Sequence, residues 1–569
     1  MSSKETPFIK KPTAPPLRKS HPNPPGKSAG ELGKAHQPDT IKMNFNDDEL
    51  YALLPTGRDK PPQVPFPISQ EGELLLMKSG LLTGRHVKCK SWPRLASENA
   101  TKAWSTWVNR LKPTYERQWC NLGINELIKM SQIELPVNKN LLYAALGFWS
   151  HNCNAFLFPP IPMNVTLRDV LALTGLPVVG PEIPSLVRHE LPEFFKKYRT
   201  MDWVRLIEYM ANHPPKRKRV DHFLFLWTLV CRYIFCTASG KVTAEYKEIA
   251  YELATGKKLA LGSMLLGATY HHIAHVVSNE PFTRLGGNLW IVQLWLLAYF
   301  PQLQSSVLDI SMPIGRSLMS CRTKMTQTRK FFKFFSCLKD KPPLRFTYCF
   351  SRLPESGRIM KASTINLDET YEMWKSFLST RFLHVGATFK PTITGTAACF
   401  ELYWPALCAR QFGLIQVIPA PPLLPLEERY KASESRVHRL LNDGFHFKLS
   451  KVGKASSIVT NEFDQWWSLR LPYLQQKVEA SGKVVDEEDA NEDEDSDVVV
   501  ADVAPDESID LDDFPEADFA FLAQVNFEDL DLDSDERLLE DDTPPLKRQK
   551  MDKSSDIPAD TIDPDDEGN

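Results

Sequence analysis

The sequence predicts a mainly α-helical fold: a single large helical domain, in one or two lobes, with minor β structure and a disordered tail on either side. Three observations carry that expectation. All thirteen Trp fall between Trp92 and Trp467, and all ten Cys between Cys89 and Cys408, so the groups that build a core are confined to residues 85–475. Within that span apolar residues recur at helical spacing, with no strand–helix alternation and no short repeat. Outside it, residues 1–84 are rich in Pro, Ser and Lys, and residues 476–569 in carboxylates. Neither composition can bury enough surface to offset the entropy of ordering.

The helices follow in order. TKAWSTWVNRLKPTYERQW, from about Glu98, sets Trp104, Trp107, Val108 and Leu111 at i, i+3, i+4 and i+7, one face of a helix. ELIKMSQI and KNLLYAALGFW continue in the same manner, the second carrying Trp149 on its helix. DWVRLIEYMAN reads as a helix, and HFLFLWTLVCRYIF as another, apolar nearly all round and therefore central. Glu245–Leu253, Gly262–Val277, Gly287–Tyr299, Ser433–Leu441 and Glu462–Leu474 read as further helices, the last turning Trp466 and Trp467 toward the body. RFTYCF and GLIQVIP are the β-like runs. The longest apolar run, Leu289–Phe300, contains Gln293 and is too short to span a bilayer. A soluble intracellular protein with no membrane contact and reduced, buried thiols is expected.

The net charge of −3 hides an asymmetry. Val484–Asn569 holds 33 acidic residues against 5 basic, and the remaining 483 residues hold 38 acidic against 63 basic, a body of +25 beside a tail of −28. Such a pairing suits a nucleic-acid or chromatin setting, a tail lying over a basic face, or plain solubility. In the tail, Phe514, Phe519, Phe521, Phe527 and Leu530 alternate with carboxylates, the composition of segments that offer aromatics to a partner groove. Lys216-Arg217-Lys218-Arg219, after Pro214-Pro215, and Lys547-Arg548 with Lys550 have the composition of nuclear-import signals. A nuclear protein is the resulting expectation.

The most informative stretch is Ala144–Gly180. Thr166 and Asp169 have capping-box spacing, Gly175 can supply a left-handed stop, and Pro177 prevents the helix restarting. Phe148, Trp149, Phe156, Pro159, Thr166, Leu167, Asp169, Val170, Gly175, Leu176, Pro177 and Gly180 together resemble a motif of the plant mobile domain, a family also labelled aminotransferase-like. A second block, Gly286-Gly287 with Leu289, Gln293, Leu294 and Trp295, is similar to a later motif of that family. So is a third, Arg410-Gln411-Phe412-Gly413 with Gln416 and Pro419. Ala155 stands where the pattern usually has Thr, and PPIPM where Gly-Glu-Met is common. The resemblance implies a non-enzymatic role in meristem maintenance, transposon silencing or gene expression, with nuclear protein partners, among them a phosphatase-like protein.

Chemistry is less well supported. His271, His272 and His275 include an i, i+4 pair able to share a metal, but the intervening Glu of a metalloprotease is absent and a buried or surface His cluster explains them. Cys231 and Cys236 are spaced wrongly for a zinc knuckle. The aminotransferase-like label suggests a pyridoxal phosphate enzyme, yet no Lys sits in a strand-end context beside a Gly-rich cradle. Ala254–Lys258 lacks the leading glycine of a P-loop, and no Gly-x-Ser-x-Gly elbow occurs. No cofactor, metal or catalytic residue is therefore assigned. Arg316, Arg322, Lys324, Arg329, Lys330 and Lys333, interleaved with Phe331, Phe332, Phe334 and Phe335, can be read as a nucleic-acid contact or as a core helix with a wet face. Either a nucleic-acid-binding product domesticated from a transposon or an enzyme is the competing reading.

Overall fold

Tryptophans spaced along one helix face organise the first half of the domain. The computed structural model describes residues 50–54, 88–90, 92–93, most of 97–338, 371–380, 382–384, 400–412, 414–419, 448–453 and most of 459–476. After two short strands, β1 (Leu50–Leu54) and β2 (Lys88–Lys90), comes α1 (Glu98–Leu122). Ser97 caps it by accepting from the Ala100 N–H. Trp104, Trp107 and Trp119 on its buried face close around Phe225, with ring centroids 5.0, 5.7 and 5.3 Å away. Phe225 lies on α7 (Lys218–Leu229), which is buried from Val220 onward and runs into a π-helical turn, Val230–Ile234. The apolar-all-round segment is thus central, as its sequence requires.

Between these helices lie α2 (Asn125–Met130), α3 (Lys139–Leu146), an antiparallel three-stranded sheet β3–β4–β5 (Trp149–Ser150, Ala155–Phe158, Ile161–Met163), α4 (Leu167–Thr174), α5 (Lys196–Thr200) and α6 (Trp203–Asn212). Trp149 is not on a helix: α3 stops at Leu146, and Trp149 opens β3, pairing with Phe156. Gly147 follows the helix, and the Trp149 ring gains edge contacts with Phe156 and Tyr270 at 4.9 and 5.7 Å. Aromatic packing on the sheet outweighs continuation of the helical period.

The second half adds α8 (Lys247–Ala254), α9 (Leu261–Ser278), β6 (Arg284–Gly286), α10 (Leu289–Tyr299), α11 (Ile314–Met319), α12 (Thr328–Ser336) and α13 (Tyr371–Ser379). Then come β7 (Phe382–His384), β8 (Phe400–Leu402), a kinked 3-10 segment Pro405–Phe412, β9 (Lys448–Gly453) and α14 (Asn461–Ser468). All of α10 is buried, the interior position that its unbroken apolar character demands. Trp295 stacks on Phe156 at 5.2 Å, and Phe335 of α12 stacks on Phe158 at 5.1 Å. Gly315 of α11 touches α4, where an added Cβ would sit 1.7 Å from the Leu173 carbonyl oxygen. One continuous apolar cluster extends from Trp92 to Trp467. No helix among the described residues is long and apolar enough to cross a membrane.

The remaining pairings are short. β1 lies antiparallel to β9 and β2 parallel to β6, so residues 50–54, within the segment read as an N-terminal tail, join a strand from the far end of the domain. LYALL is a compact apolar run of the kind that can pair. In GLIQVIP the pairing is an isolated bridge, Gln416 to Val459. RFTYCF, Ser433–Leu441 and the acidic segment fall outside the described residues.

Replacing Trp149 or Trp295 by Ala is expected to cost about 3–5 kcal/mol through the cavity left behind. Gly315→Ala is expected to lower the thermal midpoint further than a Gly→Ala change in open space, because α4 and α11 must separate. Thermal denaturation followed by far-UV circular dichroism reads both; an unshifted midpoint for Gly315→Ala would contradict the close approach.

Candidate functional site

Three residues preceding α4 and its first residue, Leu167, carry backbone groups that no regular element satisfies, and side chains take them up. Gln411 accepts from the Asn164 N–H and donates to the Asn164 carbonyl, both at 2.7 Å, as a strand partner would. The Tyr270 hydroxyl donates to the Val165 carbonyl at 2.6 Å. Asp169 Oδ2 accepts from the Thr166 N–H at 2.8 Å, and the Leu167 N–H reaches the Tyr403 hydroxyl at 3.2 Å. Every one of these residues is buried. Orphaned buried groups each cost about 1–3 kcal/mol, so the clamp fixes where α4 begins.

Asp169 sits at its centre. The Thr166–Asp169 capping box forms as the spacing predicts, with Thr166 Oγ1 accepting from the Asp169 N–H. Asp169 also accepts from the Tyr299 hydroxyl at 2.7 Å on Oδ1, and from the Thr166 hydroxyl at 2.9 Å and Gln411 Nε2 at 3.4 Å on Oδ2. Burial pushes its carboxyl up to about 6, while these donors pull the other way. Beside it, burial drives the Cys408 thiol well above its ordinary value and pulls the Arg410 guanidinium down to about 10.

A second polar group adjoins the first. Glu401, fully buried on β8, accepts from Asn154 Nδ2 at 3.0 Å and from His271 Nδ1 at 3.1 Å. Asn164 Nδ2 donates to the Asn154 carbonyl, linking the two groups. His272 faces Gly287 instead, its ring 3.2 Å from where a Cβ would lie, and the His275 side chain is outside the described set. No group of three metal-ligating side chains occurs among the described residues. Cys231 and Cys236 are buried thiols, and the Cys236 thiol donates to the Arg232 carbonyl at 3.3 Å.

Most of the predicted motif residues therefore gather in the interior, with Gly175 half-buried and Gly180 exposed. Phe148, Trp149, Phe156, Leu167, Leu176, Trp295 and Phe412 are at most 1% exposed. Gly175 adopts the left-handed conformation at φ 74° and closes α4. Gly180 and Gly287 also have positive φ, and Gly286 ends β6. Gln293 repeats the Gln411 device, accepting from the Asn138 N–H and donating to the Pro136 carbonyl. Gly413 lies outside the described residues. Of the import candidates, Lys216, Arg217 and Lys218 are exposed and Arg219 half-buried, while Lys547, Arg548 and Lys550 lie outside the described set. Tyr299, Glu401, Asn154 and Tyr270 are additions. Tyr299 was signalled by its place one turn beyond Trp295, and Glu401 by an acid inside the apolar run CFELYW.

Asp169→Asn is expected to destabilise the fold by about 2–3 kcal/mol at pH 7, because the new amide hydrogens face donors. The pH dependence has a defined sign. A carboxyl raised to about 6 from 3.8 contributes stability that is fully present below 3.8 and lost as pH rises through about 6. Urea unfolding of the two proteins should show their stability gap widening by about 1.4 kcal/mol per pH unit on acidification below about 6. A gap that narrows would mean that the donors outweigh burial.

Comparisons with known proteins bear on the same stretch of chain. The chain matches the plant mobile domain family over residues 123–468, which contains all three motif blocks. It is 26% identical over 310 residues to Protein MAINTENANCE OF MERISTEMS of Arabidopsis thaliana, covering 51% of this chain and 60% of that protein. Protein MAIN-LIKE 1 of the same plant is 23% identical over 319 residues, covering 50% of this chain and 56% of its own. The chain thus spans less than two thirds of the length of either relative. No solved structure is matched. With the capping box, both glutamine clamps and the aromatic pairs formed by the motif residues themselves, the chain belongs to the plant mobile domain family.

Proposed function

We propose that this chain is a non-enzymatic nuclear scaffold acting in meristem maintenance, transposon silencing or the regulation of gene expression through protein partners. One observation carries the non-enzymatic part: the aromatic and polar side chains that define the motifs are spent on packing and on backbone clamps in the interior. The polar groups around Asp169 are tied to one another, and burial holds the adjacent Cys408 thiol protonated rather than as a nucleophilic thiolate. The name of the similar Protein MAINTENANCE OF MERISTEMS supports the developmental setting. The exposed Lys216-Arg217-Lys218 run supports nuclear import. The acidic, Phe-bearing stretch Val484–Asn569 is the recruiting element, with a phosphatase-like protein among the partners the family resemblance implies.

Affinity capture from plant nuclei, comparing the full chain with one ended at Lys483, is expected to lose partners with the acidic segment. Partners that persist would move the binding surface to the helical body. A visible chromophore in the purified full chain would overturn the non-enzymatic reading in favour of a bound pyridoxal phosphate. Substituting Lys216, Arg217 and Lys218 by Ala is expected to shift a fluorescently tagged chain toward the cytoplasm.

A further inference from the structure

The sequence leaves Thr328–Ser336 between two readings, and the structure separates its two residue types. Phe331, Phe332 and Phe335 of α12 are buried, with Phe332 against Phe148 and Phe335 against Phe158 and Phe300. Phe334 is partly covered at 5.7 Å from Phe300. Arg329, Lys330 and Lys333 stand on the opposite, exposed face at i, i+1 and i+4. Arg316 leaves the group, since its guanidinium pairs with Glu126 at 2.8 Å.

The exposed cations are held on a rigid base. Arg322 and Lys324 are exposed on a segment whose backbone is pinned to residues 303–305, Lys324 N–H to the Leu303 carbonyl at 2.9 Å and Ser305 N–H to the Arg322 carbonyl at 2.8 Å. Asn138 Nδ2 donates to Thr323 Oγ1 at 2.7 Å, and the Thr328 hydroxyl donates to Asn140 at 3.0 Å. No carboxylate occurs in the sequence between Asp309 and Asp340, and α3, which packs against α12, carries Lys139 and no acid. Cations fixed on one face without interspersed carboxylates focus a positive potential outward.

We propose that the face formed by Arg322, Lys324, Lys330 and Lys333 binds the phosphate backbone of double-stranded nucleic acid, independently of sequence. The charge selects a polyanion. The buried phenylalanines select a duplex, because unpaired bases are gripped by exposed aromatic faces and α12 has turned its own inward. This goes beyond the protein-scaffold reading, and neither depends on the other.

The test is fluorescence anisotropy of a labelled DNA duplex of random sequence, titrated with the full chain over a range of salt concentrations. The full chain is expected to bind, and Lys324→Gln/Lys330→Gln/Lys333→Gln to weaken binding at least about tenfold and lower the salt slope by about 3. Arg at the same positions should retain binding, which separates loss of charge from misfolding, and Gln substitution at Lys216, Arg217 and Lys218 should leave most of it. Equal binding by the Gln variant, or loss confined to the 216–218 variant, would overturn the proposal. So would a full chain that binds no duplex while carbodiimide cross-links Lys330 or Lys333 to residues 484–569. That result would assign the face to the chain's own acidic segment.

Discussion

A carboxylate buried with its four donors is the constraint around which this domain closes. Asp169 lies away from water, and its charge is tolerated only because Thr166, Tyr299 and Gln411 bring N–H and O–H groups to it. Those donors come from three regions far apart in sequence, the α4 cap, the end of α10 and the 3-10 segment before residue 413. Meeting one local electrostatic requirement therefore fixes the relative placement of three elements. The aromatic contacts from Trp149 through Phe156 to Trp295 then fill the space that this placement defines.

The two glutamine clamps extend the same logic without charge. Gln411 on Asn164 and Gln293 between Pro136 and Asn138 each use a side-chain amide as a surrogate strand, offering one acceptor and one donor to irregular backbone. A helical domain with few strands needs such devices wherever loops pass through its interior. Elsewhere, Trp107 and Arg110 close on Asp221, and neutral His222, pulled down to about 3 by burial, accepts from Trp119. Polar groups in this core thus serve positioning.

How much of this was legible depends on the range of the interaction. Thr166 with Asp169 and Gly175 could be read directly, since capping and helix termination are settled within a few residues. The central place of α7 and α10 was legible from their lack of a polar face. Trp149 was misplaced because periodicity carries a helix onward until a tertiary contact stops it, here the Phe156 and Tyr270 rings. The link from Asp169 to Gln411 spans 242 residues, and no local pattern encodes it. The family motifs marked both ends of that link without saying that they touch. For α12, composition alone could not tell a stacking surface from a packing one. The answer depended on which residues face α3 and the small sheet.

That 242-residue separation has a temporal side. A ribosome adds about 5–20 residues per second, so Asp169 emerges on the order of tens of seconds before Gln411 exists. During that interval the α4 cap can form and α10 can pack on α3, α4 and α9, but the Asn164 backbone has no clamp. The helical body is therefore assembled in full only after its late segment has been made. Until then the backbone ahead of α4 depends on water for the hydrogen bonds that Gln411 later supplies.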